Sequence, residues 1–486
     1  MGKGSTSAPN GRKTLARGKA PGPASSTHPN PEGAAEGWSM RRIGDIAELV
    51  RYGSSAKTSE NADGIPVLRM GNIVNGALDF TNLKYLPVDH HEFPQLFLEP
   101  ADLLFNRTNS AELVGKTAVY RGKPESFSFA SYLIQVRLRE GVPEWVAYYL
   151  NSPFGRAWIK TVVSQQVGQA NVNGSKLKEL EIPFPPVEEQ RRIVARIEEL
   201  FSRLDVGVAA LRHAKAQLQR YRQSVLAAAV TGQLTQAWRE QHPDTEPASE
   251  LLERILDQRR EIWNGRGKYK EPEATEGLDL NLPSTWTVTN IDSVISAIEA
   301  GKNFKCEERP PTADETGLVK ISAVTWGKFD ELESKTVTRR DQIRDEHIIH
   351  PGDFLLSRAN TLELVGAPVI VEQINRRLML SDKVLRFRFI ERLERFALYW
   401  LRSKLGRKEI ESRATGNQLS MRNIAQASLR AIPLPLPPLA EQHQIVAEVE
   451  ARTTAIDHLE AELDRQITRA NRLRQSTLYV AFVGEL

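Results

Sequence analysis

The sequence predicts an α+β protein that contains one unit twice, each unit being a mixed α/β domain followed by a long helix. Three observations predict this architecture. Two segments match without gaps at a distance of 251 residues, a proline-rich hinge follows each of them, and a heptad pattern of apolar residues follows each hinge. With 486 residues, the chain is long enough for several domains with their own cores.

The composition is that of a folded protein, with 40% hydrophobic and 26% charged residues. The single cysteine, Cys306, excludes an intramolecular disulfide, and no Cys/His cluster has zinc-ligand spacing. Lys302 and Lys305 are close enough in sequence to lower the pKa of this thiol, but we favour an ordinary thiol. No run of about 18 apolar residues exists, so we expect a cytoplasmic protein without structural metal or membrane contact. The net charge of +4 is too small for coating DNA through bulk charge.

The first repeat is PADLLFNRTNSAELVG from Pro100, which matches PGDFLLSRANTLELVG from Pro351. The hinge IPFPPVEEQRRIV from Ile182 corresponds to IPLPLPPLAEQHQIV from Ile432, and Trp38 and Trp286 open the two copies. We therefore predict heads at residues 37–187 and 281–439 and an acidic linker at 231–280. Residues 1–36 are rich in Gly, Pro, Ser and Ala, and we predict a disordered tail.

The heads contain short β-rich runs, such as IPVLRMGNIV and LVKISAV, separated by turn-forming residues. Late in each head follows an aromatic-rich segment with the pattern of an amphipathic helix, WVAYYLNSPFGRAWIKTV in the first and RFALYWLRSKLGRKEIES in the second. Each head is therefore predicted as an α+β domain.

The two long helices are predicted at residues 188–230 and from 440 to about 482, within a last segment that reaches 486. Their predicted heptad positions include Gly207 and Tyr221 in the first helix and Leu459 and Leu473 in the second. The first helix has eight basic and five acidic residues, and the second has five basic and seven acidic residues. Opposite charge favours pairing of the two helices with each other. The alternative is that each helix packs on its own head.

No catalytic residue is predicted. The chain has neither an F-x-G-x-G cofactor loop nor a G-x-x-x-x-G-K-[ST] phosphate loop. The tetrapeptide from Asn151 to Phe154 is similar to an adenine-methyltransferase motif but lacks its second proline. His90 and His91 have no metal-ligand partner at useful spacing and are interpreted as surface residues.

The duplicated plan, the two hinges and the helix endings AAAVTGQLT and AFVGEL resemble the specificity subunit of type I restriction-modification enzymes. The resemblance implies that the heads are target-recognition domains, each reading half of a split site in the DNA major groove. It implies that the helices form an antiparallel coiled coil between them. Two methylation subunits and the restriction subunits would be the partners, carrying out adenine methylation and cleavage with S-adenosylmethionine, ATP and Mg²⁺. This chain itself would bind no cofactor and catalyse nothing.

Base reading favours Arg for guanine and Asn or Gln for adenine. Arg107 and Asn109 align with Arg358 and Asn360. A residue shared by both copies is also compatible with holding the fold or a phosphate, whereas a base reader should differ between them. Further candidates lie in the loops that precede the two hinges, Gln169, Asn171, Asn417 and Gln418, and in the unlike strand-loop segments, Arg69, Asn72, Trp326 and Lys328.

Two other classes of function remain open at this point. The chain is also compatible with a coiled-coil scaffold whose heads bind protein, and less so with a fused enzyme, because catalytic motifs are missing. Competition by DNA at varied salt separates a DNA-specificity subunit from a protein-binding scaffold, since phosphate contacts make the affinity for DNA fall steeply with salt.

Overall fold

The computed structural model describes residues 38–166, 169–263, 267–275, 278–418 and 421–486. The predicted tail lies outside these ranges. The chain divides into two compact units. Unit 1 contains the first head, the first half of one long helix and the last residues of the chain (466–486). Unit 2 is the continuous segment 210–465.

The first head alternates short strands with short helices. Its elements are β1 (Ser39–Arg42), α1 (Ile43–Ile46), β2 (Ala47–Tyr52), β3 (Ile65–Leu68), β4 (Ile73–Val74), β5 (Ala77–Leu78), β6 (Lys84–Leu86), β7 (Leu103–Asn106), β8 (Thr108–Asn109), β9 (Thr117–Val119), β10 (Ser128–Phe129), β11 (Leu133–Leu138), α2 (Pro143–Asn151), α3 (Pro153–Val162), β12 (Ser164–Gln166), β13 (Gln169–Asn171), α4 (Gly174–Glu179) and β14 (Glu181–Phe184).

Three helices follow before the second head: α5 (Val187–Val230), α6 (Gln236–Gln241) and α7 (Ala248–Glu261). The rest of the chain has β15 (Thr287–Asn290), α8 (Ile291–Val294), β16 (Ile295–Ala300), β17 (Cys306–Glu307), β18 (Thr316–Val319), β19 (Ser334–Val337), β20 (Phe354–Ser357), β21 (Ala359–Asn360), β22 (Pro368–Ile370), β23 (Arg377–Met379), β24 (Val384–Phe389), α9 (Glu394–Arg402), α10 (Lys404–Arg413), β25 (Thr415–Gln418), β26 (Met421–Asn423), α11 (Gln426–Arg430), β27 (Pro433–Leu436) and α12 (Leu439–Phe482).

The two heads repeat the same sheets, which confirms the predicted duplication. The antiparallel sheet β2-β11-β7-β9 of the first head corresponds to β16-β24-β20-β22 of the second. A smaller sheet of β12, β13 and β8 corresponds to β25, β26 and β21. Each head is closed by pairing of its first and last strands: β1 pairs with β14, and β15 with β27. The chain therefore enters and leaves a head at neighbouring points.

The ungapped repeat contains a buried aspartate that has the same structural role in both heads. Asp102 is fully buried and accepts hydrogen bonds from Arg137 at 2.8 and 2.9 Å. Its counterpart Asp353 is paired with Arg386 and Arg388, each at 3.0 Å. A buried carboxylate needs such partners, because an unpaired charge in a protein interior is strongly destabilising.

The glycine that ends each repeat is also structural. Gly115 and Gly366 have φ values of +84° and +74°, a region that favours glycine. A Cβ at either residue would collide with Ile159 or Ile410, the nearest atoms lying 2.0 and 2.4 Å away. The fold therefore explains both glycines without any role in binding.

Within each unit, half of α5 pairs with half of α12 in antiparallel orientation, as predicted. In unit 2, Lys215 contacts Asp464 at 2.7 Å and Arg222 contacts Asp457 at 2.6 Å, so the partner number falls by seven as the residue number rises by seven. In unit 1 the corresponding pair is Arg474 with Asp205. Because Asp457 and Arg474 lie 252 residues after Asp205 and Arg222, each unit contains the same interhelical ion pair.

The predicted heptad seam is right at most positions, such as the buried Ile193 and Ile445, and wrong by one residue at four. Gly207 is exposed, and Tyr221, Leu459 and Leu473 are 46%, 50% and 52% exposed. The side chains one residue later are half-buried instead: Val208, Arg222, Glu460 and Arg474. At three of these four inner positions the side chain is charged, and its apolar stem covers the partner helix while its head group forms an ion pair.

The predicted acidic linker contains two helices. Ala248, Leu251 and Ile255 of α7 are fully buried in the core of unit 2. Arg259 of the same helix is 7% exposed and donates to the Tyr269 hydroxyl at 2.7 Å and to Asp292 at 3.4 Å. This segment therefore belongs to unit 2 and is more than a connection.

Each aromatic-rich segment, predicted as one helix, is two helices. The break falls at Ser152 and Ser403, whose hydroxyls accept hydrogen bonds from the backbone N–H of Gly155 and Gly406 and cap the second helix. A Cβ at Gly155 or Gly406 would approach a carbonyl oxygen of the preceding helix to 2.4 or 2.1 Å. The close approach of the two helices therefore requires glycine.

Among the described residues, no helix combines the length and apolar character needed to cross a bilayer.

Candidate nucleic-acid interface

The first head brings four of the predicted residues together on the sheet β12-β13-β8, which we call polar sheet 1. Asn109 pairs with Ala170 and Thr108 pairs with Asn171 across β8 and β13. Arg107 directly precedes β8, and Gln169 begins β13 with an exposed side chain. Residues separated by about 60 positions in sequence thus form one polar surface.

Arg107 lies half-buried at the base of this surface. Its guanidinium donates to the Asn171 side-chain oxygen at 3.3 Å and to the Ser131 carbonyl at 3.4 Å, and lies 4.8 Å from the centre of the Tyr52 ring. The buried Nε of Arg107 has no hydrogen-bond partner among the described residues. The cation is therefore fixed in orientation, without a carboxylate that would neutralise it in this part of the chain.

Two exposed tyrosines beside Arg107 were missed by the sequence analysis. Tyr52 and Tyr132 are 45% and 46% exposed. The Tyr52 hydroxyl accepts a hydrogen bond from the Gly174 N–H at 2.8 Å, and the Tyr132 carbonyl accepts one from the Arg107 N–H at 2.9 Å. The one signal in the sequence that could have identified these tyrosines as site residues is their position at strand ends next to turns.

The second head forms the equivalent surface from β25, β26 and β21, which we call polar sheet 2. Ala359 pairs with Asn423 and Asn360 pairs with Arg422. Arg358 is half-buried, and its side chain makes no hydrogen bond or ion pair within the described ranges. Asn417 and Gln418 lie on β25, but their side chains are outside what the structure describes.

The strand register corrects the correspondence between the two loops. Asn171 faces Thr108 as Asn423 faces Ala359. Gln169 and Asn171 therefore correspond to Met421 and Asn423, whereas Asn417 and Gln418 lie on the strand equivalent to β12. Two residues of polar sheet 2 were not predicted as candidates: Met421, which is 60% exposed, and Arg422, which donates to the Gly416 carbonyl at 2.6 Å. The unequal loop lengths before the two hinges hid this relation.

Asn109 and Asn360 have the same local role. Each side-chain oxygen accepts a hydrogen bond from the next N–H, at 2.8 Å from Ser110 and 2.9 Å from Thr361. This local contact opens a loop that is held by a half-buried arginine in each head: Arg156 donates to the Glu112 and Val114 carbonyls, and Arg407 to the Leu362 and Val365 carbonyls. Both heads therefore have an asparagine at this position for a structural reason.

Arg69 and Asn72 lie on a separate loop of the first head. Asn72 is 4% exposed, and its amide accepts from the Arg69 N–H at 2.9 Å and donates to the Asp79 and Thr81 carbonyls at 2.8 and 3.0 Å. These bonds argue against base reading by Asn72, because the amide is already satisfied within its own loop. Arg69 donates to the Asn82 carbonyl at 2.7 Å and is half-buried.

Trp326 and Lys328 lie on the corresponding loop of the second head. The Trp326 indole donates to the Glu363 carbonyl at 2.6 Å, and the Arg407 guanidinium lies 4.9 Å from its ring centre. Trp326 is thereby joined to the loop that follows Asn360. Lys328 is exposed beside it.

The loop around Trp326 forms one wall of a groove of about 1460 Å³ in unit 2. The other walls include residues of α5, α9, α10 and α12, and both signs of charge line the groove, including Arg402, Glu450 and Asp457. Burial lowers the pKa of Arg402 to about 10. Mixed charge without a glycine-rich loop does not define a nucleotide site here.

The other residues singled out for chemistry have structural roles. The Asn151 amide donates to the Thr117 and Ala147 carbonyls at 2.7 and 2.9 Å, and Ser152 caps α3. Burial raises the pKa of the Cys306 thiol, which fits the ordinary thiol that we favoured. His90 lies 3.6 Å from Glu92. In the described part of the chain, no group of three or more His, Cys, Asp or Glu residues is arranged to hold a metal ion.

Two α/β heads with equivalent polar sheets, combined with two long antiparallel helices, define a duplicated recognition protein. The sequence profile of the type I restriction modification DNA specificity domain matches residues 35–207 and 283–469. The chain therefore belongs to this family.

Two relatives are type I restriction enzyme specificity subunits of Escherichia coli. The EcoEI subunit is 26% identical over 66% of this chain and 61% of its own length, and the EcoKI subunit is 32% identical over 44% and 48%. The chain thus spans about half to three fifths of these two proteins. The StySPI specificity subunit of Salmonella potsdam is 26% identical over 93% of this chain and 89% of its own length.

The fold is shared with a chain in a solved structure determined to explain complex assembly and conformational transition of the type I R-M system. That chain is 19% identical, with a TM-score of 0.61 over 94% of this chain and 100% of its own length.

Proposed function

We propose that this chain is the DNA-specificity subunit of a type I restriction-modification complex. Each head reads one half of a two-part site in double-stranded DNA, and adenine methylation and cleavage are carried out by partner subunits. The single observation that carries the proposal is the presence of two polar sheets with the same register but different side chains. Gln169 and Ala170 of the first correspond to Met421 and Arg422 of the second. A protein that reads two different half-sites needs this combination of a common frame and unlike contacts.

The contacts divide into two groups. Arg107 and Arg358 occupy the same place in both heads and are assigned to phosphate, because phosphate contacts carry no sequence information. Exposed residues that differ between equivalent positions are assigned to base reading. They are Gln169 with Met421, and Tyr132 with Lys383.

The partners are two methylation subunits, joined by restriction subunits, and these partners use S-adenosylmethionine, ATP and Mg²⁺. The helices support two related docking surfaces, which share one exposed apolar position. Unit 1 exposes Leu473 and Val206, and unit 2 exposes Tyr221 and Leu459. Tyr221 and Leu473 are equivalent residues of the repeat, 252 positions apart. Exposed apolar side chains at equivalent places favour two copies of the same partner.

We expect Arg107→Ala and Arg358→Ala to weaken DNA binding to a similar extent for all sequences, because each removes a phosphate contact. The slope of log affinity against log salt should decrease in magnitude by about 0.9 for each lost contact. The measurement is a fluorescence titration of the full chain with labelled duplexes at several salt concentrations.

The matched control is Arg260→Ala, which removes the same charge from an exposed position of α7. It should leave both affinity and slope unchanged. Equal behaviour of all three variants would contradict the assignment. Binding by the unmodified chain that is independent of salt would contradict DNA recognition altogether and favour a protein-binding scaffold.

A further inference from the structure

The Glu-Gln pair that follows each hinge has a different environment in the two copies. In unit 2, Glu441 is 1% exposed. Its Oε1 accepts hydrogen bonds from the Thr235 hydroxyl at 2.7 Å and from the Arg239 guanidinium, and its Oε2 accepts one from the Trp286 indole at 2.9 Å. One buried carboxylate thus receives three donors.

The three donors come from parts of unit 2 that are distant in sequence. Trp286 directly precedes β15, the first strand of the second head. Thr235 and Arg239 follow the end of α5, and Glu441 itself lies in the first turn of α12. The carboxylate therefore ties the start of the second head to α12 and to the segment that follows α5.

The equivalent residue of unit 1 forms no such tie in the described part of the chain. Glu189 is half-buried and accepts hydrogen bonds from Arg192 of its own helix at 2.8 and 3.0 Å. Trp38, the counterpart of Trp286, lies edge-on to Trp145 with ring centres 5.4 Å apart, as Trp286 lies edge-on to Phe396 at 5.9 Å. The same sequence motif therefore serves different ends in the two units.

The geometry requires a carboxylate, because all three partners are donors and a carboxylate only accepts. A glutamine would present one oxygen and one NH₂ group. The NH₂ group would face a donor, so that at least one buried donor would lose its partner. Glu441→Gln is consequently a small change in shape and a large change in this contact.

We propose that Glu441 is a positioning residue that fixes the angle between the second head and the long helices, and thereby restricts the number of base pairs allowed between the half-sites. This inference rests on the proposed function. Glu441 touches no DNA in this account and acts through Trp286, so its loss changes the permitted gap and leaves the bases read by either head unchanged.

The test is methylation mapping in the natural host with the full chain carrying Glu441→Gln, with Glu189→Gln as the matched control. We expect the Glu441 variant to direct methylation to the same half-sequences but with gaps one base pair shorter or longer. The ratio of methylation at these sites to that at the original site should rise about tenfold, the effect of one lost buried hydrogen bond. The control should keep the original gap.

A second pair of variants covers the case in which Glu441→Gln does not fold, as judged by thermal unfolding. Trp286→Phe keeps the aromatic ring and the carboxylate but removes the indole donor, and Trp38→Phe is its control. A wild-type gap in both unit 2 variants would overturn the inference, as would equal relaxation in all four variants. Absence of any two-part methylated site with the unmodified chain would instead refute the proposed function, and the inference with it.

Discussion

Insertion of seven residues into each long helix is expected to lengthen the unread gap by about three base pairs. Seven residues add about 10 Å of helix and about two turns, so the inserted segments keep the paired faces aligned. At 3.4 Å per base pair step, 10 Å corresponds to about three steps. The original site should lose its methylation, and a new motif with both half-sequences unchanged should replace it.

The insertions belong after Ala209 and after Arg465, where the chain passes between the two units. Both helices must be extended, because the antiparallel pairs of Lys215 with Asp464 and of Asp205 with Arg474 fix their register. An insertion at Gly232 is less suitable. This residue has a φ of +76°, and a Cβ there would meet Pro283 at 2.5 Å, so the packing of unit 2 would change.

The control is the same insertion in α5 alone, which shifts the ion pairs out of register and should abolish modification. Methylation mapping of both variants decides the matter. If the doubly extended chain is active with the original gap, the helices do not set the distance between the half-sites.

Exchange of the first head for that of another family member is expected to change one half of the recognised site completely and to leave the other half unchanged. The exchanged segment is 39–184, because β1 and β14 pair at its two ends, Ser39 opposite Phe184. A segment whose ends are neighbours can be replaced with little effect on the helices that it joins.

The matched experiment exchanges the second head between β15 and β27 and should change the other half. Trp38, Trp286 and Glu441 remain in place in both chimaeras. Each variant is checked by methylation mapping in a host that carries the partner subunits. A change in both halves after exchange of one head would show that the heads do not read independently.

The duplicated architecture could be predicted from the sequence because two strong periodic signals indicate it, the repeat at 251 residues and the heptad pattern. The repeat contains residues that the fold requires, such as the buried Asp102 and Asp353, and Gly115 and Gly366, whose positive φ values favour glycine. The heptads gave the two long helices. The heptad pattern selected Tyr221 and Leu473 as inward-facing residues, whereas their neighbours Arg222 and Arg474 face the partner helix. Apolar character alone does not reveal an arginine that is half-buried and forms an ion pair.

The candidate site could be predicted only in part. Arg107, Asn109, Gln169 and Asn171 do meet on one sheet, but a pattern of residue types could not show that Asn72 is buried by its own loop. It also could not reveal Tyr52 and Tyr132, which become neighbours of Arg107 only through the pairing of distant strands. The role of Glu441 depends on three donors from separate segments and has no local signal.

Mapping of adenine methylation in the natural host with and without the gene shows whether this chain supplies the sequence specificity of a DNA-modifying complex. We expect a two-part motif with two different half-sequences that is methylated in the parent strain, is unmethylated in the deletion strain, and is methylated again on complementation. An identical methylation pattern in the parent and deletion strains would contradict this expectation.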